Sequence, residues 1–250
     1  QPFFLQLSHY AVHSDIVYRQ PTLELVRHWD KGRVHTNAGY AAMMKDLDDG
    51  IGQLVQAYDE LGLTNNTYLF FVSDNGGMPV IPPRQGGGAP YKFGLNSPLR
   101  RGKWDLNEGG IRVPFFVVGP DVPAGTQSDT PVVTYDLMPT FAELAGSTEQ
   151  LPGDLDGASF VRQMRDPTAL GMPRPRADTL IFHMPHYNRY GLSEPHSAIR
   201  QGQYKLLKFL VSGRSLLFDL EADIGERRDL AAEMPHRVAH MEHELQTYLD

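Results

Sequence analysis

The chain contains no cysteine. A disulfide framework, a thiolate metal site and a cysteine nucleophile are therefore excluded within it. It also has no basic excess: 23 Lys and Arg stand against 30 Asp and Glu, for a formal charge of −7. A nucleic-acid footprint needs the opposite balance. No apolar run approaches the ~20 residues that span a bilayer, so no membrane-spanning helix is expected. Internal repeats and low-complexity tracts are absent. No initiator methionine or signal-peptide pattern precedes Gln1, and Pro2-Phe3-Phe4-Leu5-Gln6-Leu7 starts almost inside an apolar run. Natural chains seldom begin within a buried strand, so we expect further polypeptide ahead of Gln1.

What is present is an ordinary globular composition, 41% hydrophobic and 21% charged over 250 residues. That length can bury a real core, as one large domain or two. The organising stretch is 68–118. Tyr68-Leu69-Phe70-Phe71-Val72 is continuously apolar and too short for a helix, which fits a strand covered on both faces. Ser73-Asp74-Asn75-Gly76-Gly77 breaks it, a Pro/Gly-rich loop follows, and 113–118 forms the next buried strand.

Upstream, residues 3–7 read as a buried strand. Residues 37–63 carry Tyr40, Met44, Leu47, Ile51, Leu54, Val55, Tyr58 and Leu61 at helical spacing, which predicts an amphipathic helix ended by Gly62. Strand, helix, strand is a βαβ unit. The acidic run Asp46, Asp48 and Asp49 reads as the solvated face of that helix. Residues 134–145 predict a helix with Thr134 at its N-cap and Gly146 as its stop. Residues 197–210 and 215–220 read as strands joined by a turn at 211–214, and 233–249 as a terminal amphipathic helix.

The expected fold class is α/β: a mixed, largely parallel sheet flanked by helices, plus a small C-terminal antiparallel α+β subdomain. The expected division is 1–150 for the α/β part, 151–176 for a linker or surface excursion rich in Pro, Gly and Asp, and 177–250 for the subdomain.

The chemistry-bearing residues gather where such sheets place their sites, at the carboxyl ends of strands. Asp74 and Asn75 offer hard oxygen ligands for Ca²⁺ or Mg²⁺, but two ligands do not make a site of six or more, and Asp-Asn-Gly is also ordinary turn chemistry. Lys103 lies in a glycine-flanked loop beside Arg100 and Arg101. It could pair with a sulfate or phosphate oxygen, or be one cation of a solvated basic loop. His13 follows the 3–7 run, where an imidazole can protonate a leaving group or bind an anion. His183 and His186, with Tyr187, are candidates for substrate contact or simply exposed at a strand end. The glycines at 86–88 are not a phosphate cradle, since no GK[ST] follows them.

Taken together, these segments resemble the sulfatase family of the alkaline phosphatase superfamily. The resemblance is carried by residues 2–13, by Phe71-Val72-Ser73-Asp74-Asn75-Gly76-Gly77, by Asn96-Ser97-Pro98-Leu99-Arg100-Arg101-Gly102-Lys103, and by Glu108-Gly109-Gly110-Ile111-Arg112-Val113-Pro114. The C-terminal segments Ser197-Ala198-Ile199-Arg200, Tyr204-Lys205-Leu206 and Leu217-Phe218-Asp219-Leu220 follow in the same order.

It implies hydrolysis of sulfate esters of carbohydrates or aryl alcohols. Asp74 and Asn75 would be ligands of a cation, Ca²⁺ ahead of Mg²⁺. Lys103 would hold the sulfate, and His13 would bind it and assist the departing alcohol. The family's nucleophile is a formylglycine made within Cys/Ser-x-Pro-x-Arg, and this chain has no such motif: Ser193-Glu194-Pro195-His196-Ser197 ends in Ser where Arg is required. An N-terminal Asp pair that completes the metal site is also absent. The resemblance is thus to the C-terminal part of a sulfatase, partnered by an N-terminal segment of the same protein and by a sulfated small molecule or glycan. It implies a periplasmic or extracellular location. A phosphoester or phosphonate hydrolase of the superfamily, or a non-catalytic sulfatase-like fragment, are the alternatives.

Overall fold

The computed structural model describes residues 2–13, 15–32, 35–79, 96–147, 151–176, 178–187 and 194–250. The glycines at 86–88 and Gly94, and Ser193, lie outside these.

Helix α1 (Gln20–Val26) opens with Pro21 in its first turn and packs on α2 (Ala38–Glu60) through Leu23, Val26 and Ala42. The Asn37 side chain caps α2 by accepting from Tyr40 N–H at 2.9 Å. This satisfies one of the orphan donors of the first turn. The acidic run on α2 is tied to its neighbours. Asp46 accepts from Arg19 Nε at 2.7 Å and Thr22 Oγ1 at 2.6 Å, and Asp49 accepts from Arg19 at 2.9 Å.

Strand β1 (Leu69–Val72) pairs antiparallel with β2 (Phe115–Val118) in the register Leu69↔Val118 to Val72↔Phe115. Between them lies the short α3 (Glu108–Ile111). A 3-10 turn (Thr134–Asp136) leads into α4 (Leu137–Leu144), and α5 is Val161–Arg165. Ala158, Phe160, Met164 and Met172 form a core against Phe70, Phe115 and Val117, so residues 158–172 cover one face of the β1–β2 pair.

The C-terminal sheet has the order β3 (Thr179–Met184), β4 (His196–Gln201), β5 (Tyr204–Phe209) and β6 (Ser215–Asp219), all antiparallel. Alternation gives it two buried faces. Ile199, Leu206 and Leu217 pack on Met241 and Leu245 of α6 (Pro235–Leu249), while Ala198, Leu207, Phe209 and Phe218 pack on Leu106 from the loop before α3. Burying each such side chain contributes roughly 1.5–3 kcal/mol.

Helices with an antiparallel C-terminal subdomain agree with the expected class, but details differ. The described pairing upstream is antiparallel rather than parallel. Residues 3–7 form no strand: Phe4 is 73% exposed and Leu5 65%, and the backbone finds no ladder partner among the described residues. The Phe4 ring still lies 5.6 Å from Phe141, which also takes Phe70 at 5.0 Å. On α2, Met44 and Val55 are exposed, because the helix turns its Ala38, Ala41 and Ala42 side to α1. Thr134 is not an N-cap. It is the first residue of the 3-10 turn, whose N-cap is Val133, and Asp136 reaches back from the third position, its Oδ2 accepting from Val133 N–H at 2.9 Å. The run 197–210 is broken by Gly202, whose φ of 56° makes a tight turn between β4 and β5.

Candidate active site

Strand β1 delivers Ser73, whose hydroxyl donates to Asn75 O at 2.9 Å. The Asn75 Nδ2 donates to Gly76 O at 3.0 Å, which fixes the amide and leaves its Oδ1 as an acceptor. The Asp74 carboxylate is exposed. Both side chains present oxygen at one turn.

That turn is locked to the loop carrying Lys103. Gly76 N–H donates to Gly110 O at 2.9 Å, and Lys103 N–H donates to Gly77 O at 2.9 Å. Asn96 Nδ2 clamps both segments, donating to Gly77 O and to Arg101 O at 2.9 Å each. Backbones meet so closely that a Cβ on Gly76 would fall 1.8 Å from Gly109 O, and one on Gly102 would fall 2.3 Å from Gly77 O. Only glycine fits either position. Arg101 (φ 61°) and Trp104 (φ 73°) adopt left-handed backbone on either side of Gly102 and Lys103. This conformation persists in bulky residues only where surrounding contacts impose it. Lys103 is partly buried, its Nζ 5.9 Å from the centroid of the Trp104 ring.

Of the sequence-predicted residues, the structure thus sets the turn that carries Asp74 and Asn75 against the backbone of Lys103, through Gly76 and Gly77. His13 sits on a separate exposed turn, its N–H bonded to Tyr10 O at 2.9 Å and its ring 5.7 Å from that of Tyr10. His183 is not brought to Lys103. Its Nδ1 bonds Ser197 Oγ at 2.7 Å, and strand alternation sets both on the α6 face, opposite the one on which Leu106 packs. His186 is exposed beyond the end of β3. Among the described residues no group of three or more His, Asp or Glu could hold a metal.

Sequence reasoning missed the polar groups beneath the lysine loop. His196 is 1% exposed, and its Nε2 accepts from Leu106 N–H at 3.0 Å while Nδ1 meets Glu194 O at 2.8 Å. The ring therefore carries its proton on Nδ1, donated to that carbonyl. Lys205, also buried, donates to Glu108 Oε1 at 2.9 Å and lies 3.0 Å from Glu226 Oε1. Glu226 Oε2 in turn accepts from Glu108 N–H at 2.8 Å, and Glu226 O from Arg100 at 2.6 Å. Burial pushes the Glu108 carboxyl up, but Lys205, Arg200 and Arg112 outweigh it and hold it below its ordinary range. Burial wins at Glu226, which is raised despite Lys205. A signal existed: alternation places Lys205 on the face of Leu207 and Phe209, where an unpaired cation could not stay.

Residues 1–147 match the sulfatase family, and residues 102–250 match the C-terminal region of N-sulphoglucosamine sulphohydrolase. The chain belongs to the sulfatase family. Among sulfatases it is 31% identical to one from Formosa agariphila, over 94% of this chain and 43% of that protein. It is 30% identical to the steryl-sulfatase of Mus musculus, over 80% of this chain and 35% of that protein. The crystal structure of Ps i-CgsB superposes with a TM-score of 0.75 at 29% identity, covering 99% of this chain and 50% of that one. The same protein in complex with k-i-k-neocarrahexaose gives 0.72 at 28% identity, covering 95% and 48%. The chain thus spans less than half the length of these curated relatives.

Proposed function

We propose that this chain is the C-terminal part of a sulfatase that hydrolyses sulfate esters of carbohydrates or aryl alcohols. The observation that carries the reading is the interlock of the Ser73–Gly77 turn with Lys103: it fixes oxygen ligands and an anion-binding cation on one piece of backbone. Asp74 and the free Oδ1 of Asn75 suit a hard cation, Ca²⁺ ahead of Mg²⁺, and supply part of its shell. When bound, the calcium polarises sulfate oxygens and a formylglycine supplies the nucleophile. Lys103 holds the sulfate as a point charge preset by its loop. His13 contacts the sulfate and gives its proton to the departing alcohol oxygen. Of the histidine pair, His186 is the one we retain as a substrate contact. A glycan substrate is supported by the neocarrahexaose bound to Ps i-CgsB.

The rest of the site comes from an N-terminal segment of the same protein that bears Cys/Ser-x-Pro-x-Arg and further acidic ligands. The face of the β1–β2 pair opposite the Phe115 and Val117 core supports this: Phe116 there is 62% exposed and Val118 56%, apolar surface of the kind that partners cover. Export to the periplasm or beyond belongs to the same reading.

The test is turnover of an aryl sulfate and of sulfated oligosaccharides. Residues 1–250 alone should show none, and detectable hydrolysis by them would overturn the division of labour. Joined to the upstream segment the protein should turn over, and Lys103→Ala should lower kcat/KM by about 10²-fold or more. An unchanged kcat/KM would remove Lys103 from the site.

A further inference from the structure

We propose that His196 and Lys205, both on the C-terminal sheet, are positioning residues for Lys103, holding it through the backbone of residues 104–110. The proposal rests on the reading of Lys103 as the sulfate-binding cation. Neither residue touches Lys103; each grips a different point of the segment that follows it.

His196 holds the near point. Its Nε2 takes the Leu106 N–H at 3.0 Å and stands 3.5 Å from Asp105 Oδ1. Its ring stacks on Phe209 with centroids 5.6 Å apart, and Glu194 O fixes the other nitrogen, so the acceptor can point only at the loop. Asp105 links back across the lysine: its Oδ2 lies 3.5 Å from Arg101 Nε, and its backbone N–H donates to Gly102 O at 3.1 Å. Lys205 holds the far point. Its ammonium lies between Glu108 and Glu226, and Glu226 also takes the N–H of Glu108. Beyond Glu108 the chain reaches Gly109 and Gly110; Gly76 N–H donates to Gly110 O at 2.9 Å, and a Cβ on Gly76 would fall 1.8 Å from Gly109 O.

A buried ion network is a poor device for stability alone. Desolvating three charged groups costs several kcal/mol, and apolar side chains of like volume serve a core as well or better. What such a network adds is register, since a misplaced loop would leave buried charges unpaired. The register set here is that of residues 102–110, and Lys103 inherits it through its own hydrogen bond to Gly77 O. The C-terminal sheet therefore acts on the sulfate-binding cation without contacting sulfate.

The experiment pairs kinetics with amide hydrogen exchange in the protein joined to its upstream segment, using Lys205→Met, His196→Leu and His196→Gln. The Gln amide oxygen can replace Nε2 as acceptor. In folded Lys205→Met and His196→Leu, the Lys103 amide should exchange at least about tenfold faster, and kcat/KM for an aryl sulfate should fall up to about 10²-fold. His196→Gln should recover most of both. Folded variants with unchanged Lys103 exchange and unchanged kcat/KM, differing only in thermal stability, would overturn the proposal. If the variants do not fold, the wild type decides: in low denaturant the amides of Lys103, Leu106 and Glu108 should open together with one free energy. A Lys103 amide that opens independently, below the other two, overturns it. Should the wild type turn over no sulfate ester while the three amides still open together, the sulfatase reading fails and the coupling stands.

Discussion

Asp136 offers the most direct check on how the chain around β1 and β2 is held. Its carboxylate is fully buried and gathers four donors from three stretches of sequence. Oδ1 accepts from Arg174 Nε at 2.9 Å and Ala158 N–H at 3.0 Å, and Oδ2 accepts from Val133 N–H at 2.9 Å and from the Arg174 fork. Arg174 is itself buried and otherwise meets Pro131 O at 2.9 Å. Asp136→Ala leaves a guanidinium uncompensated in the interior and two backbone N–H groups without partners. Breaking one side of a buried pair costs about 3–5 kcal/mol. For a chain of this size each kcal/mol moves Tm by about 2–4 °C, so scanning calorimetry should show a drop of about 6–20 °C. Removing both charges with Asp136→Leu/Arg174→Met should cost less than Asp136→Ala alone, because no charge is then stranded. The orphaned N–H groups would remain, at about 1–3 kcal/mol each. A Tm loss under about 3 °C for Asp136→Ala, or a double variant worse than the sum of the singles, would refute the argument.

Four further outcomes follow from the same geometry. Asn37→Ala should cost about 1 kcal/mol by removing the cap of α2, read as a lowered denaturation midpoint at unchanged slope. Gly76→Ala places its Cβ 1.8 Å from Gly109 O, so it should separate the Ser73–Gly77 turn from the lysine loop and, on the proposed reading, abolish turnover and lower calcium affinity in the protein joined to its upstream segment. Asn96→Asp keeps the size but removes both donations to Gly77 O and Arg101 O, and in the protein joined to its upstream segment should raise KM for an aryl sulfate. Stability against pH should show opposite signs at the two buried carboxylates. Glu108 is held below its ordinary 4.5, so its contribution is present above the unfolded pKa and lost as pH falls through the folded one. Glu226 is raised above 4.5, so its contribution is present at low pH and lost as pH rises. Denaturation series on Glu108→Gln should therefore flatten the acid side of the curve, and Glu226→Gln the neutral side.

Local signals carried well where a short-range rule decides the outcome. The body of α2 follows from periodicity, and the β5–β6 hairpin from alternation and the turn at 211–214, whereas the Gly202 turn that divides 197–210 lies outside that reading. The readings that failed depend on what lies across the fold. Residues 3–7 have the composition of a buried strand, yet a strand exists only where another backbone pairs with it. Met44 and Val55 sit on the correct stripe of α2 for a neighbour that the described structure does not supply. His196 drew notice only as part of a failed Ser-x-Pro motif, because nothing local tells a histidine that its acceptor will face Leu106 N–H, 90 residues away in sequence. Glu226 is hidden for the same reason: it reads as one more acid in a charged run until Lys205 and Glu108 are seen beside it.

The distance between a metal ligand and a substrate-binding lysine usually depends on two flexible side chains and the loops beneath them. Here the loops contribute almost no freedom. The Ser73–Gly77 turn and the Lys103 loop share two backbone hydrogen bonds at 2.9 Å, from Gly76 N–H to Gly110 O and from Lys103 N–H to Gly77 O, and the Asn96 side chain clamps Gly77 O and Arg101 O. Glycines stand wherever a Cβ would force them apart. What remains adjustable is the lysine side chain, and Trp104 borders it. On the proposed reading of Lys103 as the sulfate-binding cation, anion binding there carries little ordering cost beyond that side chain's own rotamers, about 2 kcal/mol at most. The same interlock has a consequence for change: a substitution that shifts the lysine loop must shift the Ser73–Gly77 turn with it, so on the proposed reading losses of sulfate binding and of calcium binding should appear together in variants of residues 76, 77, 96, 102, 109 and 110, and separately only in Asp74→Asn or Lys103→Ala, which leave the backbone where it is.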